Sequence, residues 1–144
     1  MNARAYLEQI EKIDVMINNK IVEAEQWWTR ATGTTVPTEG ERVQTSSGKQ
    51  KMADAVDRYI ELMEEVNVAI DKLVNTRKEI ISTIEQLPTV EYDILHMKYI
   101  QGKDLVEIGE KYKRSRSWAK DACKKAVKQV QEVLDARGND YGSM

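Results

Sequence analysis

The sequence holds no phenylalanine, one cysteine, one histidine and two prolines in 144 residues. A single cysteine excludes an internal disulfide. One cysteine and one histidine fall short of the four ligands of a structural zinc site. No apolar run approaches the roughly 20 residues of a membrane-spanning helix, so no membrane role is expected. MNARAYLEQIEK enters a charged helical pattern at once, so no signal peptide is expected and the default location is cytoplasmic. There is no Walker loop, nucleophile elbow, His-x-Glu or Cys-x-x-Cys. His96 has no catalytic partner that the sequence identifies, and the expectation is a non-enzyme without a cofactor.

What is present is charge in a helical pattern. The chain has 22 Lys+Arg against 24 Asp+Glu, a net charge of −2, with 32% charged and 41% hydrophobic residues. That near-balance conceals an asymmetry. Residues 1–88 hold eleven basic and fifteen acidic side chains, and residues 89–144 hold eleven and nine. Between Lys111 and Lys128 lie eight basic residues and one acid, Asp121. A local field of that sign favours phosphate.

The pattern predicts an all-α protein. Apolar residues at Ile10, Ile13, Ile17, Ile21, Ala24, Trp28 and Ala31 step by three and four, predicting a helix over 3–31. Of the Trp27–Trp28 pair, Trp28 lies on this stripe and is expected in the core. Residues 32–50 are rich in Gly, Ser and Thr and read as a loop. A second helix is predicted over 51–87, with Met52, Val56, Tyr59, Met63, Val66, Ile70, Leu73, Arg77, Ile80, Ile84 and Leu87 in an unbroken heptad stripe. Arg77 on that seam either lays its stem along the apolar stripe and reaches water, or pairs with a buried acid. A long N-terminal helical hairpin or coiled coil is therefore expected for 1–87, with a possible homo-oligomer through the 51–87 heptad helix. Whether its long helices pack parallel or antiparallel is open.

Pro88 separates that coil from a second module, 88–144. Thr89 is a candidate N-cap for a helix over 90–100, and Gln101-Gly102-Lys103 a turn. Asp104 with Glu107 suggests a capping-box start for the next helix, whose inner face is Leu105, Ile108 and Tyr112. Ser115 caps a final helix running to about Arg137, with Gly138 ending it and a short tail from 138. Its buried stripe is Ala119, Cys123, Ala126, Val127, Val130 and Leu134. The opposite face carries Arg116, Ser117, Lys120, Asp121, Lys124 and Lys128. A short helix, a tight turn and a longer helix with a basic face make a helix-turn-helix, whose second helix presents Arg, Lys and small polar groups to base edges. The candidate DNA-binding residues are Lys113, Arg114, Ser115, Arg116, Ser117, Trp118, Lys120, Asp121, Lys124, Lys125 and Lys128. Trp118 either packs on the preceding helix or meets a thymine methyl or sugar.

The stretch YIQGKDLVEIGEKYKRSRSWAKDACKKAVKQVQEVL, 99–134, resembles region 4 of bacterial sigma factors, which reads the promoter −35 element in the major groove. Tyr99-Ile100, Gly102, Leu105, Glu107-Ile108, Ser115-Arg116-Ser117, Lys120 and Ala126 carry the match. Lys113 stands where the family usually has Gly, Arg114 where an apolar residue is usual, and Gly109 in place of Ala, where a small residue of either kind meets the packing. The passages YLEQIEKID, EAEQWW, GERVQTSSGKQKMADAVDRYI and IISTIEQL resemble small phage and prophage proteins of Gram-positive bacteria. Those are described as sigma-region-4-like or as late-gene transcriptional regulators.

The resemblance implies a DNA-binding transcription regulator in a bacterial host cell, with double-stranded DNA as its partner and host RNA polymerase as a second candidate partner. Two alternatives share the same architecture. One is a DNA-packaging component similar in plan to a small terminase subunit. The other is a protein-interaction adaptor that does not bind DNA.

Overall fold

A computed structural model describes residues 2–33 and 46–142. The described chain is all-α: α1 Ala3–Thr32, α2 Ser46–Ile84, α3 Thr89–Leu95, a π-helical turn His96–Ile100, α4 Leu105–Lys111 and α5 Arg116–Gly142. No helix among the described residues is long and apolar enough to cross a membrane. The predicted loop differs at its ends. Residues 46–50 already belong to α2, and positions 34–45 lie outside the described residues.

Two compact units form. One takes the chain to Lys12 and from Leu73 onward, and the other is Ile13–Lys72. The parting therefore falls within α1 and α2 rather than at Pro88. The reason is packing: Ala3, Tyr6, Leu7 and Ile10 of α1 share a core with Ile80, Ile84, Leu87, Leu95, Ala126 and Val130.

In the unit 13–72, the two helix segments run antiparallel. Lys20 pairs with Glu65 at 3.8 Å, and the Trp28 ring lies 5.0 Å from that of Tyr59. Ile13, Ile17, Ala24 and Ala31 are buried as the stripe predicted, but Trp28 is 47% exposed. On α2 the buried positions are Ala55, Leu62 and Val66, whereas Met52 and Ile70 of the heptad stripe are exposed. This segment of α2 carries two adjacent apolar stripes, and one neighbouring helix covers a face only somewhat wider than 100°. The stripe through the smaller Ala55 faces that neighbour.

In the other unit, the first turn of α1 is anchored on α5 and on the end of α2. The Ala3 amide donates to Gln131 Oε1 at 2.7 Å. Thr83, fully buried, is bonded on every side. Its hydroxyl donates to the Glu79 carbonyl at 3.1 Å, accepts from Arg137 Nη2 at 2.8 Å and meets the Tyr6 hydroxyl at 2.8 Å. Burial of Leu7 and Ile84 contributes about 1.5–3 kcal/mol each, several times a typical net hydrogen bond of about 1 kcal/mol. Apolar contact therefore holds the turn down, and the polar cluster fixes its register. Arg77 is exposed, the first of its two predicted readings.

The ends of the C-terminal helices depart from expectation at two places. Pro88, not Thr89, occupies the N-cap of α3, and it has no side-chain cap bond. Proline's fixed φ suits entry to a helix, and Thr89 becomes the first helical residue. Gly138 does not end α5, which runs to Gly142. A glycine costs a helix interior about 1 kcal/mol, too little to terminate a helix already anchored along its length.

Candidate nucleic-acid interface

The site is assembled by helix ends. Asp104 caps α4 as predicted, its Oδ1 accepting from the Glu107 amide at 2.8 Å. The preceding chain leaves the π-helical turn through Gly102, at φ +73. There the Gln101 amide donates to the His96 carbonyl at 3.0 Å and the Lys103 amide to that of Met97 at 2.9 Å. Ile94, Met97, Ile108, Ala119 and Cys123 form a second buried cluster that packs α3 and α4 onto α5.

The α4–α5 turn is tight. The Arg114 amide donates to the Gly109 carbonyl at 2.8 Å, and the Lys113 amide to that of Glu110 at 3.1 Å. With Lys113 at φ +56, these bonds make a Schellman cap whose left-handed residue is lysine rather than glycine. A small residue of either kind does not suffice at Gly109. A Cβ there would stand 2.7 Å from the Arg114 carbonyl oxygen and 3.0 Å from that of Ser115, so only glycine lets the turn close this far.

Ser115 caps α5, its Oγ accepting from the Trp118 amide at 3.1 Å. The amides of Arg116 and Ser117 in the first turn have no intrahelical acceptor, as at any helix start. Lys113, Arg114, Ser115, Arg116, Ser117, Lys120, Asp121, Lys124, Lys125 and Lys128 are all exposed. Trp118 is half-buried, its ring 5.5 Å from Tyr112 and 5.8 Å from the Arg114 guanidinium. It packs on the end of α4, one of its two predicted readings. Ala119, Cys123, Ala126 and Val130 are buried, and Val127 and Leu134 pack partly buried beside them.

The candidate cations divide between two flanks. Lys125 turns toward α3 and pairs with Glu91 at 3.5 Å. Lys120 and Lys124 turn the other way, toward Lys98 and Tyr99 of the π-helical turn and Arg4 of α1. Arg116 joins Lys103 and Lys98 around an adjoining hollow. Among the described residues, Arg116, Lys120 and Lys124 have no ion pair or hydrogen bond. Sequence reasoning missed Arg4, Lys98 and Lys103. The first lies more than a hundred positions away, and the other two stand alone among uncharged or acidic neighbours.

Below the turn, Lys111 Nζ donates to Asp93 Oδ2 at 2.6 Å, and the Tyr112 hydroxyl donates to the same oxygen. Burial acts to raise the Asp93 carboxyl, but those two bonds, with the charges of Lys111 and His96, outweigh it and hold the pKa below the usual carboxylate range. Burial, then the bond to Asp93, pushes Tyr112 up to about 12. The pair ties α3 to the end of α4, which sets the angle at which α5 begins. Burial also raises the Cys123 thiol, against the pull of Lys98, so it is a packing group and not a thiolate.

The arrangement offers an exposed, unpaired cationic face at a capped helix start, with chemistry suited to phosphate and base edges and with no acid–base pair poised on it. No family model, no curated protein and no solved structure matches the chain.

Proposed function

We propose that this chain is a phage-type transcription regulator that reads duplex DNA with α4 and α5 acting as a sigma-region-4-like helix-turn-helix. The first turns of α5 enter the major groove. Arg116 and Ser117 face base edges, and Lys113, Arg114, Lys120, Lys124 and Lys128 face phosphates. One observation carries the reading. Arg116, Lys120 and Lys124 stand exposed and unpaired along one helix that begins at a serine cap. Their clustering at one helix start, not exposure alone, sets them apart from Lys125 and Lys111, which pair with Glu91 and Asp93. The resemblance of 99–134 to sigma region 4 supplies the setting: a promoter in a bacterial cytoplasm, with RNA polymerase as neighbour.

Titrating the protein into labelled duplex DNA at several salt concentrations tests this. The logarithm of affinity should fall linearly with log salt, by about 0.9 per phosphate contacted. Arg116→Ala should cost about 1–3 kcal/mol on the preferred sequence and far less on others. A chain with no duplex affinity at low salt would not be a DNA reader, and a solution ring would point instead to the packaging alternative.

A further inference from the structure

The hollows beside α5 bring together charges that the chain separates widely. Arg4 and Lys98 face Lys120 and Lys124 around a cavity of about 440 Å³ that Tyr99 also lines. A second hollow of about 370 Å³ lies between Lys98, Lys103 and Arg116, with Asp104 also on its lining. Lys98 and Leu105 line both, so the two read as one trough. Acids offset little of this charge. Glu8 sits 3.8 Å from Arg4 with both side chains more than half exposed, and Asp104, which also caps α4, sets one carboxylate against the three cations of the second hollow. A cleft in which cations outnumber acids and the walls are partly apolar concentrates its field on whatever enters.

The spacing decides what kind of anion fits. Lys120 and Lys124 are four residues apart, so they succeed one another at about 6 Å along α5, one turn beyond the base-facing Arg116. A row favours a chain of charges, whereas a compact anion calls for convergence on one point. We propose that the trough seats the phosphodiester backbone of one DNA strand, with Arg4 and Lys98 as phosphate contacts, so that the first turn of α1 belongs to the DNA interface. This rests on the DNA-binding reading above and extends it to a helix whose sequence reads only as part of a coil.

The test is the full chain carrying Arg4→Gln or Lys98→Gln, titrated with a preferred and an unrelated duplex across salt. Each variant should weaken both duplexes several-fold and equally, and each should reduce the salt slope by about one. Arg4→Lys should keep the slope. Arg58→Gln, at a partly exposed site of the other unit, serves as control, and unchanged melting temperatures show that the fold persists. Slopes that stay at the wild-type value while Arg116→Ala still weakens binding would overturn this inference and leave the DNA reading standing. A loss confined to one sequence would overturn it too, because phosphate contacts carry no sequence. No wild-type affinity for either duplex would bring down the DNA reading and this inference with it.

Discussion

The backbone of Arg114 closes onto Gly109 so tightly that its carbonyl oxygen would lie 2.7 Å from a Cβ at that position. Both atoms are backbone, and the Arg114 amide bond to the Gly109 carbonyl holds the turn against α4, so neither yields cheaply. Gly109→Ala should therefore destabilise the protein. Overpacking costs about 1–3 kcal/mol, and the gain in helix propensity returns up to about 1. A lowered urea midpoint at unchanged m would show it, and an unchanged or raised midpoint would mean that the turn opens freely.

Lys113 is the complementary case. Its φ of +56 places a side chain where a Cβ costs about 1–2 kcal/mol. Lys113→Gly should stabilise the fold by about 0.5–1 kcal/mol, because glycine's larger unfolded-state entropy takes back part of that relief. The same variant should bind duplex DNA slightly less well, since one cation beside the α5 start is lost. Differential scanning calorimetry and a salt titration report the two effects separately.

Thr83 tests the polar cluster in the core. Thr83→Val keeps the shape but leaves the Tyr6 hydroxyl and the Arg137 guanidinium without their partner. Stranding such groups costs about 1–3 kcal/mol, more than the single bond was worth. Tyr6→Phe, which removes one donor and leaves Thr83 bonded to Glu79 and Arg137, should cost less. Denaturant midpoints rank the two, and the reverse order would contradict the geometry.

Stability should depend on pH at both extremes through one oxygen atom. Asp93 has its pKa lowered by folding, so its contribution is present above the ordinary Asp value near 4 and is lost as pH falls below it. Tyr112 is raised from 10.0 to about 12. Its contribution is full below pH 10 and is lost as pH rises from there toward 12. Tyr112→Phe should flatten the alkaline limb of melting temperature against pH, and Asp93→Asn should flatten the acid limb. An alkaline limb unaltered in Tyr112→Phe would assign it to other groups.

Local rules made much of this legible in the sequence. Asp104 and Ser115 were readable as caps because a short acceptor before an apolar run has few other uses. Ile13, Ile17, Ala119, Cys123 and Val130 were readable as core from their spacing alone. Trp28 and Met52 were misplaced for a shared reason. Spacing identifies an apolar stripe but not the width that a neighbour covers, and both residues lie at an edge of that cover. Gly138 misled because a glycine ends a helix only where nothing else holds it.

Chain order and side-chain chemistry, then, were enough to require helices, to put a cationic face on α5 and to stop α2 before Pro88. They act over a few residues, and a periodic pattern displays them. The company that α5 keeps is another matter. Arg4 lines one hollow with Lys120 because Leu7 and Ile84 share a core, and the α4–α5 turn closes because Gly109 yields its volume to the Arg114 carbonyl. Such contacts join residues through space, where one-dimensional spacing has no reach, and packing alone selects among them.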